Sequence, residues 1–563
     1  MLIRRVFCER PAAHHATYVI SQHICRNRYI LPLIAGEHPM PGQAVRRVEF
    51  LMAMAYAADL AIGQPRDFAL RSCVLAMRIA AAAGLNTAQQ SDVFHQALLR
   101  YIGCNADTYL MSALFGDEIA FRQDFARIDA GRPAEIAGVI TRAVRRGAAA
   151  RPGLQGAFAV VRGLALGKSI SVPILAGHCE VAERIGARLG LGSEICGNLA
   201  QLYERWDGKG LPKGLKGEAV ALAVRVVTLA QDALVLSEAH GFDIMRSMVA
   251  KRRGSVYDPA LADLFLERPS EYMQGVEGPV ERMEILELEP APKAFLDQAA
   301  LDEAFSALAD MADMRMPFTL GHSRAVSALG EAAGRRLGLP QADITALRRA
   351  GLAHDIGELA VPVDTWMRTG PLSAHETDAS HLHPYHGERI LAGLADSSVA
   401  ALVSRHHERL DGNGYHRGIR GPDLSAAARI LAAAEMFQTA REPRPHRTAL
   451  SEAAAAARLR AGVRAGELDG EAAEAVLGAA GQATRRAAGA ERLAGLTSRE
   501  IEVLRQITLG KTAKEAARAL GIAPKTASNH IQSVYAKIGV GTRGGAVLYA
   551  LERGLFQQYS GET

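Results

Sequence analysis

From about Gln43 to Glu267 apolar residues recur at three- and four-residue intervals, as in ALRSCVLAMRIAAAAGL from Ala69 and HCEVAERIGARLGL from His178. That spacing predicts helices with one buried face. Residues before Gln43 show no clear period and read as an irregular arm. Pro269 to Pro292 is acidic and punctuated by proline, and reads as a connector. Helix-like runs resume after it. Beyond Leu477 the chain turns small, basic and weakly patterned, which predicts a linker before a separate module. The fold class expected is all-α: an arm over 1–42, a helical bundle over 43–268, a connector over 269–293, a second bundle over 294–478, a linker over 479–494 and a four-helix module over 495–563.

The two bundles read as copies of one another. ALRSCVLAMRIAAAAGL at Ala69 parallels GHSRAVSALGEAAGRRLGL at Gly321, and HQALLRYIG at His95 parallels RRAGLAHDIG at Arg348. GHCEVAERIGARLGL at Gly177 parallels HPYHGERILAGL at His383, and VYDPALADLF at Val256 parallels ELDGEAAEAVL at Glu467. The clearest pair is LYERWDGKGLPKGLKG at Leu202 against HHERLDGNGYHRGIRG at His406. A repeat this long is a duplicated domain rather than a solenoid.

In the last module local chemistry sets four helices. Thr497 with Glu500, and Thr512 with Glu515, form capping boxes. Gly510 ends the first helix, and Leu520-Gly521 ends the second. Pro524 opens the third at its first turn, where a missing N–H costs little. Two helices joined by GIAP make a helix-turn-helix. Lys525, Thr526, Ser528, Asn529 and His530 stand near the start of the second, the part that reaches base edges in the major groove. The module resembles the LuxR-type DNA-binding domain through LTSREIEVL, GKTAKEAARAL, KTASNHI and VYAKIGV. The resemblance implies a double-stranded DNA partner, binding as a homodimer, with Lys514, Lys525 and His530 among the phosphate or base contacts.

Charge supports that reading. The chain of 563 residues has a net charge of +5, and Glu491–Phe556 alone holds ten Lys/Arg against five Asp/Glu, so the whole excess lies in the last module. Such a length exceeds one core. No stretch of twenty apolar residues occurs, which argues against a membrane span. The basic start MLIRRVFCERPAAHHATYVI lacks the apolar run of a secretion signal. Six dispersed cysteines suit reduced thiols in a cytoplasm rather than a disulfide framework. Cys8 and Cys25 with His14, His15 and His23 are a second metal candidate, although an irregular leader accounts for them better.

Nine of the eighteen histidines fall between His354 and His446. Seven of them lie in AGLAHDIGELAVP, HLHPYHG and SRHHERLDGNGYH, followed by Glu435 in ARILAAAEMF. Histidine with carboxylate is a donor set for a divalent metal. Helix-like spacing lets a bundle bring such ligands together. These residues resemble the HD-GYP branch of the HD phosphohydrolases over about Gly321 to Leu477, including GHSRAV, LAHDIGE, HPYHG, HHERLDGNGY, ARILAAAE and RPHR. The bundles are then tandem HD-like domains.

The resemblance implies metal-dependent hydrolysis of cyclic di-GMP or a related phosphoester. It implies two divalent ions, iron or manganese, held by His354, Asp355, His383, His406, His407 and Glu435, with His322 as an additional candidate. His354 and Asp355 would carry catalysis, with Asp355 bridging the ions. Glu358, Asp411, Gly414, Tyr415 and Arg444 would face substrate, and Glu408 would orient a ligand histidine. The chain departs from the family pattern in several places. Glu358 replaces a lysine, His416 a proline, Glu435 an aspartate and His446 a tyrosine. Phe318 stands where a glutamate accompanies a third metal.

In the first copy Arg100-Tyr101 and Leu202-Tyr203 replace the His-Asp and His-His pairs, and only His178 remains. That copy is expected not to be catalytic. The whole reads as a transcription regulator whose metal site acts on or senses a cyclic dinucleotide. The alternative is a regulator whose helical domains only bind ligand or dimerise.

Overall fold

The computed structural model describes residues 45–65, 67–128, 133–150, 172–394, 397–487 and 495–556. The arm over 1–42, with its Cys8, Cys25 and three histidines, lies outside them.

Among the described residues the chain is helical apart from two short strands, Val45–Arg46 and Phe295–Leu296, which pair antiparallel with Val45 opposite Leu296. This ribbon ties the start of one copy to the start of the other. The duplication is visible helix by helix. Phe68–Ala82, Thr87–Leu99 and Leu222–His240 in the first copy correspond to His322–Arg336, Gln341–Ala353 and Ala426–Arg441 in the second. The helix over 172–188 corresponds to His383–Leu391. Between Gly103 and His178 the first copy has Thr108–Phe115, Glu118–Ala126 and Pro133–Ala150, where the second has the shorter helices Val363–Trp366 and Ala374–His381.

The copies are not separate bodies. One apolar cluster runs through both, with Phe50, Phe68, Phe94, Phe265 and Phe305 fully or almost fully buried. Phe50 meets Phe305 edge to face, with ring centroids 5.3 Å apart. Residues 269–293, a connector by sequence, fold as Pro269–Met273 and Arg282–Leu288, with Tyr272, Met273, Val276, Ile285 and Leu286 buried. Arg78 donates to the carbonyls of Tyr272 and Gln274. The acidic composition hid these apolar residues, which face the core while Met283 stays exposed. The helix Gly470–Ala487 also continues past the boundary expected at 478.

The last module has the four helices expected, Ser498–Thr508, Ala513–Ala519, Pro524–Ile538 and Arg543–Glu552. Both capping boxes are present. Gly539 closes the third helix with φ of +65°, a left-handed cap that a side chain would strain. The module has a small core of its own around Leu504, Val534, Ile538 and Tyr549. Its last helix also sends Val547, Leu548 and Leu551 into the large cluster. Cys73, Cys104, Cys179 and Cys196 are buried and free. Among the described residues no helix is long and apolar enough to cross a membrane.

Candidate metal centre and nucleic-acid module

His354 ends the helix Gln341–Ala353, and Asp355 leads into a 3₁₀ turn over Ile356–Ala360. His383 is the first residue of its helix, His406 and His407 follow Ser397–Val403, and Glu435 lies within Ala426–Arg441. Four segments remote in sequence thus converge. His354, His383 and His406 are buried, and Asp355 is nearly so.

Two groups of donors share Asp355. One is Asp355, His383, His406 and His407; the other is His322, His354 and Asp355. The carboxylate is divided between them. Oδ1 lies 3.6 Å from His383 Nε2 and 3.5 Å from His406 Nε2. Oδ2 lies 3.1 Å from His354 Nε2 and 3.5 Å from His322 Nε2. Glu435 Oε2 stands 2.9 Å from His322 Nε2 and 3.4 Å from His354 Nε2, so it joins the second group.

The ring orientations test whether these groups suit a metal. His383 Nδ1 lies 2.6 Å from the carbonyl of Ser380, and His406 Nδ1 lies 2.6 Å from that of Val403. A carbonyl only accepts, so each Nδ1 carries the hydrogen and each Nε2 presents a bare lone pair. Yet the two Nε2 atoms face one another at 3.0 Å. His354 Nδ1 is likewise held by the carbonyl of Gly351, and its Nε2 faces His322 Nε2 at 3.2 Å. Facing lone pairs repel unless a cation or a shared proton lies between them. Donors bound to one ion at about 2.1 Å stand about 3.0–3.4 Å apart, close to the separations seen. The residues fit the metal ions that the resemblance implies.

Electrostatics points the same way. Burial disfavours charge on Asp355, yet the His354 imidazole beside it holds its carboxyl well below the usual range. Burial opposes a charged His354 too, but Asp355 and Glu435 outweigh it and raise the imidazole to about 10. Burial, with His406 close by, lowers His383 to about 3. Anionic demand is concentrated on one side of the shared carboxylate and neutral imidazoles on the other. Buried charge persists only when paired.

The residues expected around substrate divide. Tyr415 reaches the site, its ring stacked on His407 at 4.6 Å and on His381 at 4.0 Å. Gly414 approaches the backbone so closely that a Cβ would lie 2.4 Å from Arg409 N. Glu358 is the residue three beyond Asp355 in the 3₁₀ turn, where i and i+3 share a face. Burial and the neighbouring Asp355 push its carboxyl well above the usual range. Arg444 lies over the Phe318 ring at 4.9 Å and pairs with Glu442. Asp411 does not join them: it is exposed and accepts from Asn413. Glu408 does not orient a ligand histidine. Its carboxylate accepts from Arg417 N and Ile419 N, both at 2.8 Å, and so pins the loop.

Sequence reasoning missed Glu442, which lies 2.8 Å from His322 Nδ1 and fixes which nitrogen faces the centre. Its place two residues before Arg444 in the REPRPHR segment was the one available signal.

The first copy has the same frame with different contents. A Cβ on Gly103 would lie 2.0 Å from the carbonyl of His178, and one on Gly357 would lie 1.9 Å from that of His383. Glu204 pins its loop by accepting from Lys213, Gly214 and Leu215, as Glu408 does. Where ligands would stand, the Tyr203 hydroxyl meets His178 Nδ1 at 3.0 Å and Cys104 Sγ at 3.3 Å. Arg100 donates to Thr228. Among the described residues, both donor groups suited to a metal belong to the second copy.

In the last module Lys514, Lys525, Thr526 and Asn529 are exposed, and Ser528 and His530 are half-buried. The Ser528 hydroxyl donates back to Pro524 O.

Residues 306–472 match the HD domain family, and residues 494–550 match the luxR family of bacterial regulatory proteins. The chain carries an HD domain followed by a LuxR-type DNA-binding domain. The 3'3'-cGAMP-specific phosphodiesterase 3 of Vibrio cholerae is 28% identical over 408 residues, covering 71% of this chain and 88% of that one. The match is longer than the two family segments together, so it extends into the first copy. A cyclic di-GMP phosphodiesterase of Pseudomonas aeruginosa is 36% identical over 146 residues, 25% of this chain and 35% of that protein. A crystal structure of a cyclic GMP-AMP-specific phosphodiesterase of Vibrio cholerae superposes with a TM-score of 0.55 at 24% identity. It covers 78% of this chain and 98% of its own, a likeness of fold. The HD domain of this chain is therefore related to HD-GYP phosphodiesterases.

Proposed function

We propose that the protein is a transcription regulator whose second HD domain holds two divalent ions, iron or manganese, and hydrolyses a 3',3'-linked cyclic dinucleotide. The observation that carries this reading is the division of Asp355, one oxygen to each donor group, with imidazole Nε2 atoms converging from both sides. His354, Asp355, His383, His406, His407 and Glu435 are the ligands, and His322 joins the group on the Glu435 side. Bound there, the ions would polarise the phosphodiester and activate a water for in-line attack. The chain's own groups do the rest. Glu442 and the backbone carbonyls orient the imidazoles of His322, His354, His383 and His406. Tyr415, stacked on His407, offers an aromatic face at the rim, and Arg444 offers a guanidinium for phosphate. Relatives named for cyclic GMP-AMP and for cyclic di-GMP support the substrate class.

The regulatory half rests on packing. Val547, Leu548 and Leu551 of the module enter the core of the HD body, and Phe556 lies against Gly321, the residue before His322. Arg188 pairs with Asp310, which also pairs with Arg324 on the His322 helix, and reaches Glu552 of the module at 3.5 Å. A change at the centre thus has contiguous packed neighbours leading to the DNA-binding module. Lys514, Lys525, Thr526, Asn529 and His530 remain outward to meet DNA, with the protein acting as a homodimer on two half-sites.

Glu358 favours a second reading, a sensor that binds without efficient turnover, because it sets a carboxyl group in place of a cation where phosphate would approach. The test is elemental analysis of purified protein together with chromatographic assay of cyclic GMP-AMP and cyclic di-GMP after adding manganese or ferrous iron. About two ions per chain with linear product supports hydrolysis. Ions without product, together with nucleotide binding, supports the sensor. Absence of metal refutes both.

A further inference from the structure

The first copy has lost its ligands, yet it reaches the metal centre of the second by another route. Arg315 follows the helix Gln298–Asp313 and is fully buried, as is Glu118 from the helix Glu118–Ala126 in the first copy. Arg315 Nη2 donates to Glu118 Oε1 at 3.0 Å and to the carbonyl of Val361 at 3.0 Å, while Nη1 donates to the carbonyl of Glu358. The same carboxylate oxygen accepts from Val363 N at 3.0 Å. One ion pair therefore holds the middle of the turn Ile356–Ala360 that begins at Asp355, together with the segment that leaves it.

We infer that Glu118 and Arg315 are positioning residues, a clamp by which the degenerate copy fixes Asp355 in the metal centre of the second. The inference rests on the metal-centre reading above. Three features carry it. A 3₁₀ turn has poor hydrogen-bond geometry and little stability of its own, so its position must come from outside. Asp355 must serve two donor groups at once, and metal sites tolerate only about 0.2 Å of error in their distances. On its other side the turn is pressed against the His383 helix through Gly357, and the clamp adds polar anchors to the packing of the helices Arg47–Ala61 and Gln298–Asp313 against it. Without Arg315 the carbonyls of Glu358 and Val361 would be buried without these donors, and the turn would move to find others. The helix that carries Glu118 thus gives the degenerate copy a contact with the centre in place of chemistry of its own.

A purely structural ion pair would lower melting temperature without changing metal affinity, and that separates the two roles. The test uses full-length protein with manganese alone, titrated against a competing chelator and followed by thermal melting. Glu118→Gln keeps the shape and removes the charge. Arg225→Gln removes the comparable pair with Asp258, which touches only the first copy. Both variants are expected to melt earlier. Only Glu118→Gln is expected to weaken manganese binding, by about 10- to 100-fold, the usual effect of losing a partner that positions a ligand. Should Glu118→Gln fail to fold, Glu118→Asp, which keeps the charge one methylene shorter, is measured in its place, with a smaller loss in the same direction. Wild-type affinity in the folded Glu118 variant, with manganese bound by the wild type, overturns the clamp alone. A wild type that holds no manganese overturns the metal centre and the clamp with it.

Discussion

Gly357→Ala separates the architecture of the centre from the architecture of the fold. The new Cβ would lie 1.9 Å from the carbonyl oxygen of His383, 2.6 Å from Gly387 N and 2.8 Å from His383 C. All three atoms are backbone, so no side chain can swing away. A carbon and an oxygen in ordinary contact stand about 3.4 Å apart, so the turn must retreat by about 1.5 Å. Asp355 is two residues away and moves with it. Its Oδ1 now stands 3.5 Å from His406 Nε2 and 3.6 Å from His383 Nε2. A displacement several times the tolerance of a metal–ligand bond removes it from that group.

The matching change in the first copy, Gly103→Ala, meets His178 O at 2.0 Å and Ala182 N at 2.9 Å. Each substitution costs about 1–3 kcal/mol of stability through overpacking. Only Gly357→Ala should empty the centre. The assay is metal per chain by elemental analysis, beside thermal melting of both variants and of Gly197→Ala, whose Cβ meets nothing within 4 Å. Gly357→Ala protein that keeps two ions and full turnover would refute the placement of Asp355 between the donor groups. Equal metal loss in Gly103→Ala would show that the effect is global.

Three other outcomes follow from named contacts. Lys525→Ala should weaken binding to all DNA sequences and lower the slope of log affinity against log salt by about 1 if the lysine meets phosphate, whereas Asn529→Ala should cost about 1–3 kcal/mol at its preferred site only; fluorescence anisotropy at graded salt distinguishes them. Glu500 accepts from Thr497, Ser533 and Lys537, and the Lys537 ammonium above all pushes its carboxyl down to about 2. Because the folded value lies below the ordinary 4.5, its contribution is complete above about pH 4.5 and is lost as pH falls toward 2; Glu500→Gln should remove that dependence and cost about 1–2 kcal/mol, read from acid titration of the module's helicity. Glu180 accepts from Gly541 N of the module at 3.0 Å, beside Arg184, which donates to Gly539 O. Glu180→Arg should shift the docking equilibrium about 10- to 100-fold toward release by losing a bond worth about 1.5–3 kcal/mol, and an unchanged radius of gyration in small-angle scattering would count against docking.

Much of the molecule is legible along the chain because it rests on neighbours in sequence. Capping boxes at Thr497 and Thr512, the stop at Gly510 and the proline at the start of the third module helix are contacts within four residues. The donors from His354 to Glu435 are recognisable by type, since few other tasks ask for that many imidazoles with two carboxylates. The loss of ligands at Arg100, Tyr101, Leu202 and Tyr203 is legible for the same reason. Tertiary structure alone decided the rest. Glu408 faces backbone N–H groups nine and eleven residues on, so its carboxylate pins a loop instead of a histidine. Glu442 meets His322 across 120 residues, and Glu118 meets Arg315 across 197. The connector at 269–293 is acidic on one side and buried on the other, a distinction that composition averages away. A hydrogen bond or an ion pair has no signature in sequence until folding sets its partner within reach, whereas a helix cap has its partner three residues off from the start.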